Sequence, residues 1–300
     1  MSTHERSIRR LLARCRETKT GLPMFAYSDI WDLLAIIRAA ERMKVDVIVG
    51  SNPKVATVFG VEACQAMVTA LSAKSRVSIF NQLDHSDCVD LCIRAVDVGY
   101  PLVMIDGSRK PLEGNIEVTA EVVKYAHRKG VVVEGEVGKI KGGGVEGDFG
   151  GGKFLTEVDE AVELVEKTGV DLLAVGIGTA HGFYTEEPEI QFDRLREIAS
   201  AVKIPLVLHG GTGIPDEDIQ KAISLGITKV NIGTIIHTTY MGHLKEELNK
   251  GAAHPYTLDV MKNVLPYVED IVMDRIRIVA RISAAADGVP ALNGRLRKSL

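Results

Sequence analysis

Eight short apolar runs alternate with longer stretches of helical periodicity along this chain, and no other feature restricts its fold so severely. The runs fall at 23–27, 45–50, 76–83, 101–107, 131–138, 172–179, 205–210 and 229–234. Helical patterns fill the intervals at 30–43, 55–72, 87–98, 115–129, 157–168, 192–202 and 216–225. A run that is apolar at nearly every residue is buried on both faces, the condition of a strand in a parallel sheet covered by helices. Strand then helix, repeated through the chain, predicts an α/β protein whose sheet closes as a (β/α)8 TIM barrel, ahead of a doubly wound open sheet. Three hundred residues suit one such domain, 1–300. An amphipathic helix at the N-terminus would cap it. A further helix from about 258 to 285 would cover the barrel or a neighbouring subunit, so that 258–300 forms a C-terminal extension ending in a basic tail.

The bulk properties exclude several partners. A net charge of −4 gives no reason to expect nucleic acid, and no apolar run approaches the length that spans a bilayer. The opening arginines Arg6, Arg9, Arg10, Arg14 and Arg16 are interrupted by Glu5 and Glu17 and lead into no apolar signal core. Cys15, Cys64, Cys88 and Cys92 form no CxxC pair, which fits thiols in a reducing, cytoplasmic compartment. The apolar face of the extra C-terminal helix leads us to expect a homodimer or homotetramer.

In barrels of this type chemistry sits where the strands end in polar residues. The third run ends in Asp84-His85, the fourth in Asp106-Gly107-Ser108, the fifth holds Glu134 and Glu136, the sixth leads to His181, the seventh to His209, and the eighth carries Asn231 and Thr234. Side chains alternate along a strand, so adjacent Asp84 and His85 serve one pocket only if at least one lies beyond it. A lone histidine at a strand end is more often a hydrogen-bonding structural residue than a ligand. Three at equivalent ends favour a catalytic metal site, because three imidazoles leave a fourth position for a substrate oxygen. Asp84 beside them either shuttles a proton or orients a ring. His181-Gly182 and His209-Gly210-Gly211-Thr212-Gly213 expose successive backbone amides suited to an anion, and Asn231-Ile232-Gly233-Thr234 adds a helix N-terminus. The glycine-rich insertion 139–153 reads as a lid carrying Glu146 or Asp148.

The motifs LDH at 83–85, MIDGS at 104–108, VEGEVG at 133–138, AVGIGTAHG at 174–182, PLVLHGGTGI at 205–214 and KVNIGT at 229–234 resemble those of the class II, metal-dependent ketose-bisphosphate aldolases. The resemblance runs from the first strand to the eighth. It implies Zn2+ on His85, His181 and His209, Asp84 as catalytic acid/base, and Glu136 near the metal as a possible second-site ligand. Glu146 would be the lid residue that moves the carbon-bound proton. Gly182, Gly210, Thr212, Asn231 and Thr234 would hold the phosphate and enediolate end, with Gly211, Gly233, Ser51 and Gln82 completing the substrate contacts and a monovalent cation, Na+ or K+, nearby. The implied reaction is reversible cleavage of a ketose 1-phosphate or bisphosphate to dihydroxyacetone phosphate and an aldehyde. Relatives usually end the first strand in Phe-Asn, where this chain has Phe25-Ala26, and carry histidine at the place of Gln82. Those departures leave open a non-phosphorylated or sulfonated far end. A covalent-imine route needs a lysine at the substrate end of a strand, and Lys229 opens the eighth run at the other end. A metal-free phosphate-binding isomerase or synthase would have no use for three convergent histidines.

Overall fold

Eight parallel strands pair in chain order and the last closes on the first. They are β1 (Leu22–Ala26), β2 (Val47–Ser51), β3 (Ile79–Ser86), β4 (Leu102–Ile105), β5 (Val132–Val137), β6 (Leu172–Val175), β7 (Leu206–Leu208) and β8 (Ile227–Ile232). The structure is a computed structural model that describes residues 3–138, 155–182, 188–251 and 254–282. Helices α1 (Thr3–Thr18) and α2 (Ile30–Met43) flank β1; α3 (Pro53–Phe59) and α4 (Val61–Ser72) follow β2. Then α5 (Val89–Asp97), α6 (Leu112–Arg128), α7 (Val158–Thr168), α8 (Phe192–Ala201) and α9 (Asp216–Leu225) follow β3 to β7 in turn, and α10 (Thr234–Leu248) and α11 (Thr257–Val279) end the order. The TIM barrel is therefore the observed architecture. Among the described residues no single helix is long and apolar enough to cross a membrane.

Period-two alternation divides each strand between two cores. Inward side chains including Met24, Ile48, Phe80, Leu102, Val132 and Val207 fill the lower barrel, and Ile8, Leu12 and Cys15 of α1 seal it from beneath. Outward alternates such as Phe25, Val49, Val103, Val133 and Leu173 pack against the helix ring. Full burial of one such side chain contributes roughly 1.5–3 kcal/mol, so register is strongly enforced. The N-terminal segment caps the barrel as the sequence predicts. Helix α11 lies on α2 and α10, completing the outer layer of this chain.

Several boundaries differ from the sequence reading, and two of the differences change the local structure. The helix expected over 55–72 breaks at Gly60, whose φ of +82° lies where L-residues are disfavoured, so α3 and α4 meet at 93°. The eighth strand begins at Ile227 rather than at Lys229. That displacement of two residues moves a lysine from the outer end of the strand, away from the substrate side, into the barrel. Helix α2 starts where expected because Asp29 accepts from the Trp31 and Asp32 amides while Asp32 accepts from the Asp29 amide, a reciprocal cap.

Candidate active site

Strand β3 turns Phe80, Gln82 and Asp84 inward, and strict alternation would send His85 outward. It does not. His85 has φ +48°, and the pairing of β3 with β4 shifts register between Leu83 and Ser86, the signature of a bulge. Both Asp84 and His85 therefore stay within β3 and still face one pocket, which corrects the expectation that one must lie beyond the strand. The His85 amide, taken out of the ladder, points to Met104 Sδ at 3.4 Å. His209 continues the inward alternation of Val207 just past β7, and His181 arrives from the loop after β6, through Gly178 at φ +95°.

The three imidazoles converge edge to edge, with ring centroids 4.8 Å apart for His85–His181, 4.5 Å for His85–His209 and 5.8 Å for His181–His209. His85 Nδ1 lies 3.1 Å from Asp106 Oδ2 and His209 Nε2 lies 2.8 Å from Glu134 Oε1. An ionised carboxylate only accepts, so each of those nitrogens carries the proton and donates it. The remaining nitrogens, His85 Nε2 and His209 Nδ1, then face each other at 2.8 Å. One ligand atom from each of His85, His181 and His209 falls within 4.8 Å of the others. Three imidazole nitrogens, on rings of which two are oriented by the buried Glu134 and the half-buried Asp106, fit a zinc ion.

The electrostatics agree with that donor set. Burial drives the pKa of His181 down to about 3, helped by the charge of His85, and burial likewise drives His209 down to about 4. Both are neutral at ordinary pH, the form in which an imidazole can bind a metal ion. Burial opposes charge on His85 too, but Asp84, Asp106 and Glu136 around it raise its pKa well above the usual histidine range. This pocket attracts a cation. Glu136, buried with Oε2 3.8 Å from His85 Nδ1, has its pKa raised by burial and by Asp106. With His85 and Asp106 it forms a second group able to hold a metal ion, and Asp84, Glu134 and His209 form a third.

The cleft beside these histidines is lined by Met24, Ala26, Asp84, Gly182, Gly210, Thr212, Asn231, Gly233 and Thr234, so most of the expected substrate set does come together. Three expected contacts do not. Ser51 follows inward Gly50 and so faces out, where its buried hydroxyl lies 3.3 Å from Tyr100 Oη. Gln82 is inward but lies beneath the cleft, donating to Asp84 Oδ1 and Glu134 Oε2. The Gly211 amide is committed to Asn231 O at 3.0 Å. Thr212 Oγ1 accepts the Ile235 amide and ties its loop to the first turn of α10. Glu146, Asp148 and the basic tail lie outside the described residues.

Three participants carry no role in the sequence reading. Asp106 orients His85, Glu134 orients His209, and Lys229 supports both Glu134 and Asn231 from within the barrel. Their signal was spacing: Glu134 and Glu136, like Lys229 and Asn231, are two apart and share the inner face. A second recess beside His85 is lined by Asn52, Lys54, Asp87, Asp106 and Arg109.

A closed (β/α)8 barrel with three histidines, a buried aspartate and glycine loops at one mouth defines a barrel enzyme equipped for a metal ion. The family model for fructose-bisphosphate aldolase class-II matches residues 6–283, and the chain belongs to that family, as an aldehyde-lyase. It is 38% identical over 231 residues to the 6-phospho-5-dehydro-2-deoxy-D-gluconate aldolase of Halalkalibacterium halodurans, covering 76% of this chain and 80% of that protein. The solved YdjI aldolase of Escherichia coli K12 superposes with TM-score 0.78 at 30% identity, over 91% of this chain and 96% of that one. Fructose-bisphosphate aldolase of Campylobacter jejuni, at 19% identity, shares the fold with TM-score 0.78 over 93% and 95% of the two chains.

Proposed function

We propose that the chain is a zinc-dependent aldolase that reversibly cleaves a ketose bearing phosphate next to its ketone into dihydroxyacetone phosphate and an aldehyde. The observation that carries this reading is the convergence of His85, His181 and His209 beside the buried Asp84. Zinc held by those three imidazoles would supply Lewis-acid polarisation of the ketose carbonyl. Asp84 takes the proton of the C4 hydroxyl as the C3–C4 bond breaks, the aldehyde departs, and the electron pair left on C3 receives a proton. We assign that last transfer to Glu146 on sequence grounds. The amides of Gly182, Gly210 and Gly233 and the Thr234 hydroxyl at the start of α10 would hold the phosphate, a reading supported by their place in the lining of the cleft.

The Halalkalibacterium relative's substrate, by its name, carries phosphate beside the ketone and an acid group at the far end. Here the far end would extend past His85 toward Lys54 and Arg109. We further propose a homo-oligomer, supported by the exposed Met241, Leu248, Tyr256 and Leu258 of α10, α11 and the segment between them, and a cytoplasmic location, supported by the four free cysteines. The test is a screen of ketoses ending in phosphate, carboxylate or hydroxyl, with zinc present and dihydroxyacetone phosphate measured. Release of that product supports the reading, and turnover yielding no dihydroxyacetone phosphate from any of them overturns it.

A further inference from the structure

A fully buried pair of opposite charges lies directly beneath the cleft. Lys229 and Glu134 are both 0% exposed, and Lys229 Nζ lies 2.8 Å from Glu134 Oε2 and 2.6 Å from Asn231 Oδ1. One layer lower the barrel is filled by Ile48, Phe80, Val132 and Val207, so the site of this pair could have been packed in the same way. A buried ion pair gains little stability over well-packed apolar residues. What it supplies here is direction.

We propose that Lys229 is a positioning residue for the aldolase reaction, holding His209 through Glu134 and Asp84 through Asn231. An ammonium has donors only, so the Asn231 oxygen must face Lys229, and its amide NH2 is thereby turned to Asp84 Oδ1 at 3.2 Å. Gln82 Nε2 adds a second donor to Oδ1 at 3.3 Å. Both amides converge on one oxygen, which leaves Oδ2 to take the substrate proton. On the other arm Glu134 Oε2 accepts from Lys229 and from Gln82, while Oε1 accepts from His209 Nε2. That bond assigns the proton to Nε2 and the lone pair to Nδ1, the nitrogen that faces His85. A single cation thus sets both the ring that would hold the metal and the carboxylate that moves the proton. Without it the Asn231 amide is free to turn over, which would bring its oxygen against Asp84 Oδ1, acceptor against acceptor.

This inference rests on the aldolase reading, but its test does not require the substrate to be known. Lys229→Met is compared with the double variant Lys229→Met/Glu134→Gln, which leaves no unpaired buried carboxylate. Zinc affinity is measured by chelator competition and the melting temperature by calorimetry. On the ketose that gives most turnover, kcat and KM are measured separately. The double variant is expected to melt near the wild type yet bind zinc about 10–100-fold more weakly, with kcat down by a similar factor, the usual effect of losing a partner that orients a metal ligand. KM should change far less. Wild-type zinc affinity and kcat in a folded double variant would show that the two charges only balance each other, and would overturn the proposal. If the double variant does not fold, 15N-histidine NMR of the zinc-loaded wild type decides: His209 must carry its proton on Nε2, and a proton on Nδ1 breaks the circuit. Loss of zinc affinity with no aldolase turnover on any ketose would sink the functional reading while leaving the metal arm of the inference intact.

Discussion

Gly210→Ala separates site geometry from fold stability. An added Cβ would lie 2.2 Å from the Ala180 carbonyl oxygen and 2.7 Å from its carbon, where ordinary contact begins at 3.4 Å. The two loops must part by roughly 1 Å, and residue 180 immediately precedes His181. A misplacement of about 1 Å in a catalytic constellation costs on the order of a hundredfold in rate, equivalent to about 2.7 kcal/mol on the barrier. Gly210 also has φ +70°, which costs alanine roughly 1–2 kcal/mol of folding free energy. Gly99 provides the control, because it has φ +94° and nothing within 4 Å of an added Cβ. Gly99→Ala should lose that stability alone and keep full turnover; Gly210→Ala should lose similar stability, about a hundredfold in kcat, and zinc affinity as well. The assays are thermal melting, chelator competition for zinc and cleavage kinetics on both variants. Wild-type kcat and zinc affinity in Gly210→Ala would refute the claim that this contact places His181.

Asp84→Asn should keep zinc and substrate binding and lower kcat by roughly two to four orders of magnitude, because the amide oxygen must serve Asn231 and Gln82 and no base remains toward the substrate; kinetics within threefold of wild type would remove Asp84 from the mechanism. The pKa of His85 is raised in the folded chain, so in zinc-stripped protein its protonated ring contributes stability that is complete below the unfolded histidine pKa and is lost as pH rises through the folded value. Zinc must displace that proton, so apparent affinity should climb about tenfold per pH unit below the folded pKa and then level. Titrations from pH 6 upward that show no dependence would contradict the assigned protonation.

The barrel was legible because parallel strands buried on both faces leave apolar runs that no other common architecture repeats so often. The three histidines were legible for the same reason: each interrupts or follows such a run. Which face a side chain takes was harder to read. Ser51 and Gly50 are adjacent, and parity within β2 sends one outward and one inward; Met24 Cε would lie 1.9 Å from a Cβ at position 50, so only glycine fits the inner place. The bulge at His85 depends on pairing with β4, a non-local fact absent from the local pattern. Lys229 was misplaced because a lysine reads as the exposed end of a strand, whereas Glu134, nearly a hundred residues earlier, makes its burial tolerable. Glu134 and Asp106 were visible as polar residues at the rim, but their partners are set only when the strands close into a ring.

In the proposed reaction aldol cleavage depends on a zinc ion held by His85, His181 and His209. The most direct test of that claim is turnover of the best ketose by protein stripped with a strong chelator and then titrated with zinc, with bound metal counted at each point. Activity should vanish on stripping and return in proportion to zinc, saturating at one ion per chain, and His209→Ala should recover neither metal nor turnover. Undiminished cleavage by the stripped protein, or full zinc occupancy in His209→Ala, would contradict the claim.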